Sequence, residues 1–389
     1  MPTQATDGST AGSPRVFLTA PDAIAHTRRR VAAGDAAFAA AMERLIGQAD
    51  DALTLTPPSV MDKTAVPPSG NRHDYMSLGT YWWPNPDTPD GRPYVRYDGR
   101  RNPECDDLDQ PRLSTMVEAC SSLALAGYLT GEARYAAAAV RLLRVWFLDE
   151  ATRMTPHLNY AQAIPGHCDG RDIGIIDTAT RLPSLIDAIG LLDAAGALTA
   201  ADRTGLRTWM DRYLQWLTDS PNGRGEGDKR NNHGTWYDVQ FIALALFVGR
   251  DEVARRTAEA FGEGRIAAQI EPDGSQPLEL ARTRSMTYTT MNLVGFARAT
   301  TLAARAGVDL WTWQSADGRC LRRAVDWLAP FAAGEAPWPA EQITPVDPRG
   351  LITVFRLAAV AFDEPTYDRI AAALDGAGRP HRVTLTHPL

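Results

Sequence analysis

Residues 112–149 read RLSTMVEACSSLALAGYLTGEARYAAAAVRLLRVWFLD and indicate two helices joined by a tight turn. Apolar residues recur at helical spacing on both sides of Gly131-Glu132, and alanine, the strongest helix former, is abundant. The same arrangement returns at 173–219, where the turn runs from Gly196 to Thr199. Antiparallel helix pairs repeated along a chain are typical of all-α toroids and solenoids.

Helical spacing extends outward from these pairs over most of the chain. A solenoid would show a fixed sequence period, and none is present. The sequence therefore predicts an all-α fold, a single incomplete (α/α) toroid of helical hairpins. The predicted helices cover 22–32, 35–54, 112–130, 133–149, 173–195, 199–219, 232–248, 251–263, 287–306, 316–333, 348–362 and 364–375.

One domain, residues 16–380, is expected between a disordered N-terminal tail at 1–15 and an extended C-terminal tail at 381–389. Two stretches, 55–111 and 220–231, resist helix assignment because they are rich in turn-forming residues. Long loops in compact domains usually carry function, and aromatic residues argue against disorder. We therefore predict that 55–111 is an ordered aromatic lid, with Tyr75, Tyr81, Trp82, Trp83, Tyr94 and Tyr97.

Composition excludes several classes of protein. The 389 residues carry 40 basic and 47 acidic side chains, a net charge of −7, which argues against a surface built for nucleic acid or anionic lipid. No apolar run approaches the roughly 20 residues that span a bilayer. Four scattered cysteines predict neither a disulfide scaffold nor a zinc ribbon. Ten tryptophans exceed the needs of a helical core and suggest a ligand with flat faces.

The segment Asn231-Asn-His-Gly-Thr-Trp-Tyr-Asp238 has the polar density of a binding site. One Asn would suffice to cap a helix, whereas here two amides precede an imidazole, an indole and a phenol. On a helix that starts here, His233, Trp236 and Tyr237 share one face. We therefore favour a functional site over a simple helix cap.

A second cluster, Glu279-Leu-Ala-Arg-Thr-Arg-Ser-Met-Thr-Tyr288, precedes another helix. Alone it is typical of a surface loop; with the first cluster it contains the parts needed to cleave a 4-linked uronic acid polymer by β-elimination. An amide or Arg neutralises the C6 carboxylate, and a base and an acid move the protons at C5 and O4. Asn232, His233, Arg282 and Tyr288 supply these groups with no metal or cofactor.

The stereochemistry of the polymer determines which side chain is the base. In mannuronate and glucuronate, H5 and O4 lie on the same side, so Tyr288 can serve as both base and acid. In guluronate they lie on opposite faces, so His233 is the base and Tyr288 the acid. A tyrosine phenolate costs about 4 kcal/mol at pH 7, so this role requires a cationic pocket. A local cationic groove is expected from Arg171, Arg282, Arg284, Lys229 and Arg230.

The sequence resembles the alginate lyase superfamily of α/α-toroid polysaccharide lyases, which includes a glucuronan lyase branch. The resemblance lies in the two clusters and in three further segments: His73–Pro86 (HDYMSLGTYWWPNP), Arg101–Glu104 and Asn159–Asp177. It assigns the catalytic roles to Asn232, His233, Arg282 and Tyr288. It also implies an acidic polysaccharide as the substrate, a secreted or periplasmic location and a monomer.

By the same resemblance, the loop at 70–100 folds over the substrate cleft. Trp82 and Trp236 are then expected to line the cleft by stacking on pyranose faces, and Arg284 is the alternative to Arg282 at the carboxylate. The expected substrate-binding residues are His73, Tyr75, Tyr81, Trp82, Gln162, Arg171, Asn231, Trp236 and Arg284.

Two other functions remain open. An α/α-toroid glycoside hydrolase needs two carboxylates several ångströms apart, for which Asp74, Asp177, Asp238 and Glu279 are candidates. A non-catalytic polysaccharide-binding protein would need the aromatic residues but not the His–Tyr pair. A nucleotide site at Gly223–Gly227 is disfavoured because the stretch lacks the GxxxxGK[ST] pattern and no strand precedes it.

Overall fold

The computed structural model describes residues 13–376 and 382–387. Its helices are α1 Pro21–Ala32, α2 Ala39–Leu53, α3 Asp109–Thr130, α4 Ala133–Leu143, α5 Ile176–Ala179, α6 Leu182–Ala194, α7 Ala200–Asp219, α8 Pro221–Gly227, α9 Asn232–Val248, α10 Asp251–Phe261, α11 Pro277–Leu280, α12 Ser285–Arg305, α13 Leu321–Ala332, α14 Ile352–Phe362, α15 Pro365–Asp375 and α16 Val383–Thr386. The strands are β1 Met76–Leu78, β2 Trp82–Trp83, β3 Val95–Arg96 and β4 Tyr160–Ala163.

Five long helices form an inner ring in which α3 contacts α6, α6 contacts α9, α9 contacts α12 and α12 contacts α14. These helices are apolar around most of their circumference, as expected for elements covered on all sides. Flanking helices such as α4, α10 and α15 pack outside them. Alternation of inner and outer helices is the predicted (α/α) toroid, which the structure confirms.

The predicted helix start at Thr199 is confirmed. The Thr199 hydroxyl accepts a hydrogen bond from the Asp202 backbone N–H, and the Asp202 carboxylate accepts one from the Thr199 N–H. Two orphan donors of the first turn are thereby satisfied, and the carboxylate also accepts a bidentate hydrogen bond from Arg144 at 2.8 Å.

The prediction that 220–231 is non-helical is wrong for its first half, which forms α8. The Ser220 side chain caps this helix at the Gly223 N–H, and Pro221 occupies the first turn, where its missing N–H costs nothing. Its glycines allow close packing: a Cβ on Gly223 would lie 1.9 Å from the Leu217 carbonyl oxygen. Packing therefore overrides the low helix propensity of glycine.

The lid segment 55–111 is built from short strands and turns rather than helices. β2 pairs antiparallel with β3, and β1 pairs parallel with β4. At the other end of the chain, part of the predicted C-terminal tail forms α16, in which Val383 and Leu385 are buried. Residues 1–12, most of the predicted N-terminal tail, lie outside the described residues.

Candidate active site

His233 and Tyr288 lie in the first turns of α9 and α12, two inner helices that contact each other. Trp236 of α9 donates its indole N–H to the Met291 carbonyl oxygen of α12 at 3.2 Å. Trp236 is three residues after His233, and Met291 is three residues after Tyr288. This hydrogen bond therefore joins the two helices close to one turn beyond His233 and Tyr288. Packed helix axes are about 8–10 Å apart, which is within the span of one sugar ring and its two side-chain partners.

The same contact corrects the prediction for Trp236. Its side chain is 3% exposed and lies beneath the site, between the two inner helices. Gly295 makes room for it, since a Cβ at that position would lie 3.2 Å from the indole nitrogen. Trp236 therefore does not stack on a sugar; it holds α9 and α12 in register.

Asn232 is fixed by Glu279, a buried residue of α11. The Asn232 backbone N–H and side-chain N–H donate to the Glu279 carboxylate over 2.7–3.0 Å. Burial raises the pKa of Glu279, while Asn232, His233 and Arg282 lower it. Because His233 and Arg282 both lower the pKa of this carboxyl group, residues of the two sequence clusters lie close together.

His233 is oriented by Glu226, which the sequence interpretation missed. The His233 Nδ1 lies 2.8 Å from Glu226 Oε1, and Glu226 is completely buried in α8. Burial raises the pKa of Glu226, and the neighbouring His233 lowers it. A proton on Nδ1 that is held by this carboxylate leaves the Nε2 lone pair free, which is the form that accepts a proton.

Tyr288 shares a hydrogen bond with Tyr81 of the lid. The two hydroxyl oxygens are 2.6 Å apart, and the guanidinium carbon of Arg282 lies 4.0 Å from the centroid of the Tyr288 ring. Burial raises the pKa of Tyr288 well above its ordinary value; Tyr81 raises it further, and Arg282 lowers it. Tyr288 is therefore a phenol in the free protein, in contact with the cation that would stabilise its anion.

Arg282 also forms an ion pair with Asp98 of the lid. Its Nη2 lies 2.7 Å from Asp98 Oδ1, and the Thr283 hydroxyl donates to Oδ2 at 3.0 Å. Burial alone raises the pKa of Asp98, but the hydrogen bonds from Arg282 and Thr283 lower it below its ordinary value. Nothing in the sequence singled out Asp98 except its place in a Tyr-Asp-Gly turn.

Gly99 allows the lid to approach this closely. Its φ is +75°, and a Cβ there would lie 2.6 Å from the Thr283 hydroxyl and 3.0 Å from the Arg284 side chain. A residue with a side chain would be both strained and blocked. Asp98 and Gly99 therefore anchor the tip of the lid next to Tyr288.

The two lid tryptophans have different environments. Trp83 donates its indole N–H to the Arg100 carbonyl oxygen at 2.8 Å and so stabilises the lid. The ring of Trp82 packs edge-on against His167, with the ring centroids 5.2 Å apart. Half-buried Trp82 therefore keeps part of its surface accessible one residue from Tyr81.

Gln162 and Arg171 form a chain of contacts on the neighbouring wall. Arg171 Nη2 donates to Gln162 Oε1 at 2.8 Å, and Gln162 Nε2 donates to Asp177 at 3.2 Å. Gln162 adopts a left-handed backbone with φ of 49°. A Cβ on Gly79 would lie 3.1 Å from Arg171 and 2.7 Å from Trp82, so this wall adjoins the lid.

Two predicted sugar contacts lie elsewhere. Tyr75 is completely buried and donates its hydroxyl to Asp177 at 3.1 Å, so its prediction as a sugar contact is wrong: it holds the lid base to α5. His73 faces a separate groove with Arg153 and Trp209, where its Nδ1 lies 2.7 Å from the Arg153 carbonyl oxygen.

The remaining residues that were predicted for the site differ in their contacts and in their exposure. Asn231 is the N-cap residue of α9, but its side chain makes no capping hydrogen bond. Arg284 donates to the Thr344 hydroxyl at 3.0 Å. Lys229 pairs with Asp172 at 2.5 Å, whereas Arg230 is exposed. The positive charges of the predicted groove are thus partly neutralised, by Asp98 and Asp172.

The four carboxylates proposed for a hydrolase are each engaged in the framework. Asp238 pairs with Arg265 at 2.7 Å, and Asp177 accepts hydrogen bonds from Tyr75, Ser77 and Gln162. Asp74 accepts from Ser69 and Asn71. With Glu279 holding Asn232, none of the four is a free acid facing a cleft.

Within residues 13–376 and 382–387, no three His, Cys, Asp or Glu side chains are grouped as ligands for a metal ion. The helices in the same described part are each too short or too polar to cross a bilayer.

The alginate lyase family model matches residues 59–338, well over half of the chain. This chain belongs to the alginate lyase family. An alginate lyase from Bacteroides ovatus is 40% identical and superimposes with a TM-score of 0.92, covering 97% of this chain and 100% of that one. Alginate lyase A1-III from Sphingomonas species A1 is 16% identical with a TM-score of 0.57, covering 93% of this chain and 92% of that one, and supports the fold. Among curated proteins, none matches at a significant level.

Membership of the family and the Bacteroides relative identify this alginate lyase family member as a polysaccharide lyase. A glycoside hydrolase and a non-catalytic binding protein, the two alternatives left open by the sequence, are thereby set aside. A lyase needs groups that move protons and stabilise an enolate, and the pairs His233–Glu226 and Tyr288–Arg282 have that character.

Proposed function

We propose that this lyase cleaves 4-linked polyuronates, alginate or glucuronan, by metal-independent β-elimination at Asn232, His233, Arg282 and Tyr288. The observation that carries the proposal is the environment of Tyr288: its hydroxyl lies 2.6 Å from the Tyr81 hydroxyl, and the Arg282 guanidinium lies 4.0 Å from the centroid of its ring. His233, whose Nδ1 lies 2.8 Å from Glu226, is in the first turn of the neighbouring helix α9.

Asn232 is assigned to the C6 carboxylate of the sugar. The Asn232 side-chain nitrogen donates to both Glu279 carboxylate oxygens, at 3.0 and 2.8 Å, so the amide is fixed in place. A donor fixed before the substrate arrives stabilises the enolate that forms when H5 leaves, because no reorganisation is needed during the reaction. Glu279 is therefore a positioning residue for Asn232.

Arg282 is assigned to Tyr288 rather than to the substrate carboxylate. Asp98 already holds two of its nitrogens, at 2.7 and 3.2 Å, and the guanidinium lies over the phenol ring. A positive charge in this position lowers the cost of a phenolate in a site where burial increases it.

The bond changes follow from these assignments. The base removes H5, the C5–H electron pair forms the C4=C5 double bond, the C4–O4 bond breaks, and a proton returns to O4. For mannuronate and glucuronate, Tyr288 first loses its proton to solvent, its phenolate then removes H5, and the phenol formed in that step protonates O4 on the same face. For guluronate, the Nε2 of His233 removes H5 and the Tyr288 phenol protonates O4 from the opposite face.

The proposal includes a lid that contacts sugars through Trp82 and Tyr81, with Gln162, Arg171, Asn231 and Arg284 around the cleft. It also includes a secreted or periplasmic monomer, because a charged polymer does not cross a bilayer unaided.

Polymannuronate, polyguluronate and glucuronan, each incubated with the protein in excess EDTA, test the proposal. We expect ultraviolet absorbance from the new C4=C5 double bond with one or more of them. New reducing ends without that absorbance would indicate hydrolysis and would refute the proposal, as would no cleavage of any of the three polymers.

A further inference from the structure

A partly open cavity of about 340 Å³, here called the axial cavity, lies between the inner helices. Its walls come from α3, α6, α12 and α14, together with residues 18–19 and 382–387. It is distinct from the candidate active site: Arg298, which lines it, is ten residues after Tyr288 on α12, or about 15 Å along the helix. The volume lies at the small end of the range for ligand pockets and suits a small molecule rather than a polymer.

Arg298 is the main charged group in this cavity. Protein surrounds it, yet its side chain keeps some accessible surface, because it faces the cavity. Burial lowers its pKa to about 10, so it remains charged at neutral pH. In the described part of the chain, its one hydrogen bond is a long one, 3.4 Å to the Thr180 carbonyl oxygen. The guanidinium also lies 5.3 Å from the centroid of the Trp236 ring, and most of its five N–H donors have no hydrogen-bond acceptor among the described residues.

Asp187, the acidic residue that lines the cavity, is occupied by other donors. It accepts the backbone N–H groups of Phe17, Leu18 and Thr19 at 2.6, 3.2 and 2.9 Å. It raises the pKa of Arg298 through space, but no hydrogen bond joins the two side chains among the described residues. The Asp187 carboxylate thus fixes the backbone at residues 17–19 and does not hydrogen-bond to the Arg298 guanidinium.

A second cation, Arg382, lines the same cavity and hydrogen-bonds neutral groups. It donates to the Ser122 hydroxyl at 2.5 Å and to the Gln48 side-chain oxygen at 3.2 Å. His387 completes the polar lining, and burial lowers its pKa to about 4, so it is neutral at pH 7. Among the described residues that line the cavity, two arginines therefore stand against one carboxylate, and Glu118 is a further acidic neighbour of Arg382 outside the lining. Buried charges in proteins are normally paired.

A cavity with two lining arginines for one lining carboxylate, unused guanidinium donors and a small volume matches one kind of ligand. We propose that the axial cavity binds a small organic monocarboxylate, no larger than a single sugar acid, with its carboxylate against Arg298. The ligand supplies a second negative charge, and guanidinium–carboxylate geometry supports paired hydrogen bonds. The proposal is independent of the lyase chemistry, because none of the residues assigned to elimination lines this cavity.

Titration calorimetry on the full chain with sodium D-glucuronate tests the site, with D-glucose as an uncharged control of similar size. We expect the wild type to bind glucuronate and not glucose, at the same ionic strength in both titrations. The variant Arg298→Met should weaken binding at least tenfold, while Arg298→Lys retains part of it. Filling the cavity by Thr353→Phe should also abolish binding.

Asn232→Ala, which removes the amide assigned to the substrate carboxylate, separates this site from the catalytic cleft. It should leave glucuronate binding unchanged if the ligand occupies the cavity, and abolish elimination. Arg298→Met should melt at a higher temperature than the wild type without ligand, because it removes a buried charge with few hydrogen-bond partners. The proposal is overturned if the wild type does not bind glucuronate, if Arg298→Met and Thr353→Phe bind as the wild type does, or if binding is lost in Asn232→Ala instead.

Discussion

The hydroxyl oxygens of Tyr81 and Tyr288 lie 2.6 Å apart, which joins the lid to the inner helix that carries the candidate acid and base. Tyr81 raises the pKa of Tyr288, as burial does. Tyr81→Phe should therefore lower the pKa of Tyr288 and, with polyguluronate, where the Tyr288 phenol is the acid, move the alkaline limb of the kcat profile to lower pH. A pH–rate profile of the two proteins checks this; an alkaline limb that is unchanged or shifted upward would contradict it.

Glu226 is expected to act on catalysis through His233 alone. Glu226→Gln replaces the carboxylate that holds Nδ1, so the imidazole can adopt the wrong tautomer. We predict a fall in kcat of about 100-fold, the scale of general base catalysis, with little change in KM. The exposed Glu263→Gln is the matched control and should retain full activity. A Glu226→Gln enzyme with wild-type kcat would show that this contact is merely structural.

Asp98 is expected to matter because it holds both Arg282 and the lid. Asp98→Asn removes the negative charge that pairs with the guanidinium at 2.7 Å. Small displacements of catalytic groups are costly, and we expect kcat/KM to fall by about 10- to 100-fold. Asp87→Asn, an exposed change on the same lid, should have no effect on steady-state kinetics. Equal activities for the two variants would show that the Asp98–Arg282 ion pair does not support catalysis.

Gly99 gives an independent test of lid position. Gly99→Ala places a methyl group 2.6 Å from the Thr283 hydroxyl in a backbone conformation with φ of +75°. The lid tip should be displaced from Thr283, just before α12, and KM should rise. Gly70→Ala, which also has positive φ but open space around it, controls for backbone strain. Identical KM values in the two variants would contradict a seated lid.

Much of the fold follows from local patterns, as the Thr199–Asp202 capping box and the helix beginning at Asn232 show. α8 could not be predicted, because its glycines favour helix only through contacts with Leu217 and Asp172 that sequence does not reveal. For the site, residue types indicated Asn232, His233, Arg282 and Tyr288. In the structure Asn232 hydrogen-bonds to Glu279, a carboxylate near His233 and Arg282, and Arg282 contacts Tyr288.

Burial explains the site predictions that were wrong. Tyr75 and Trp236 have the composition of sugar-binding residues, yet both point into the framework, because an aromatic side chain serves equally well in a core. Glu226 and Asp98 were missed for the converse reason. Glu226 reaches His233 only because the chain turns between α8 and α9, and Asp98 reaches Arg282 across 184 residues, so neither carries a local signature.

His233 distinguishes the two stereochemical routes. If its Nε2 is the base for guluronate and Tyr288 the base for mannuronate, His233→Ala should reduce cleavage of polyguluronate much more than that of polymannuronate. Initial rates on the two polymers, measured with the same preparation, give the ratio. Equal losses would mean that His233 orients or polarises the substrate and does not remove H5.

The central claim is that the Tyr288 hydroxyl carries the proton in a β-elimination. The most direct test is the rate of C4=C5 absorbance from the polyuronate that the wild type cleaves best, measured for Tyr288→Phe together with binding of the same polymer. The account predicts loss of at least three orders of magnitude in kcat, the scale of a lost acid–base group, with binding nearly unchanged. Turnover by Tyr288→Phe at a rate close to that of the wild type would contradict it.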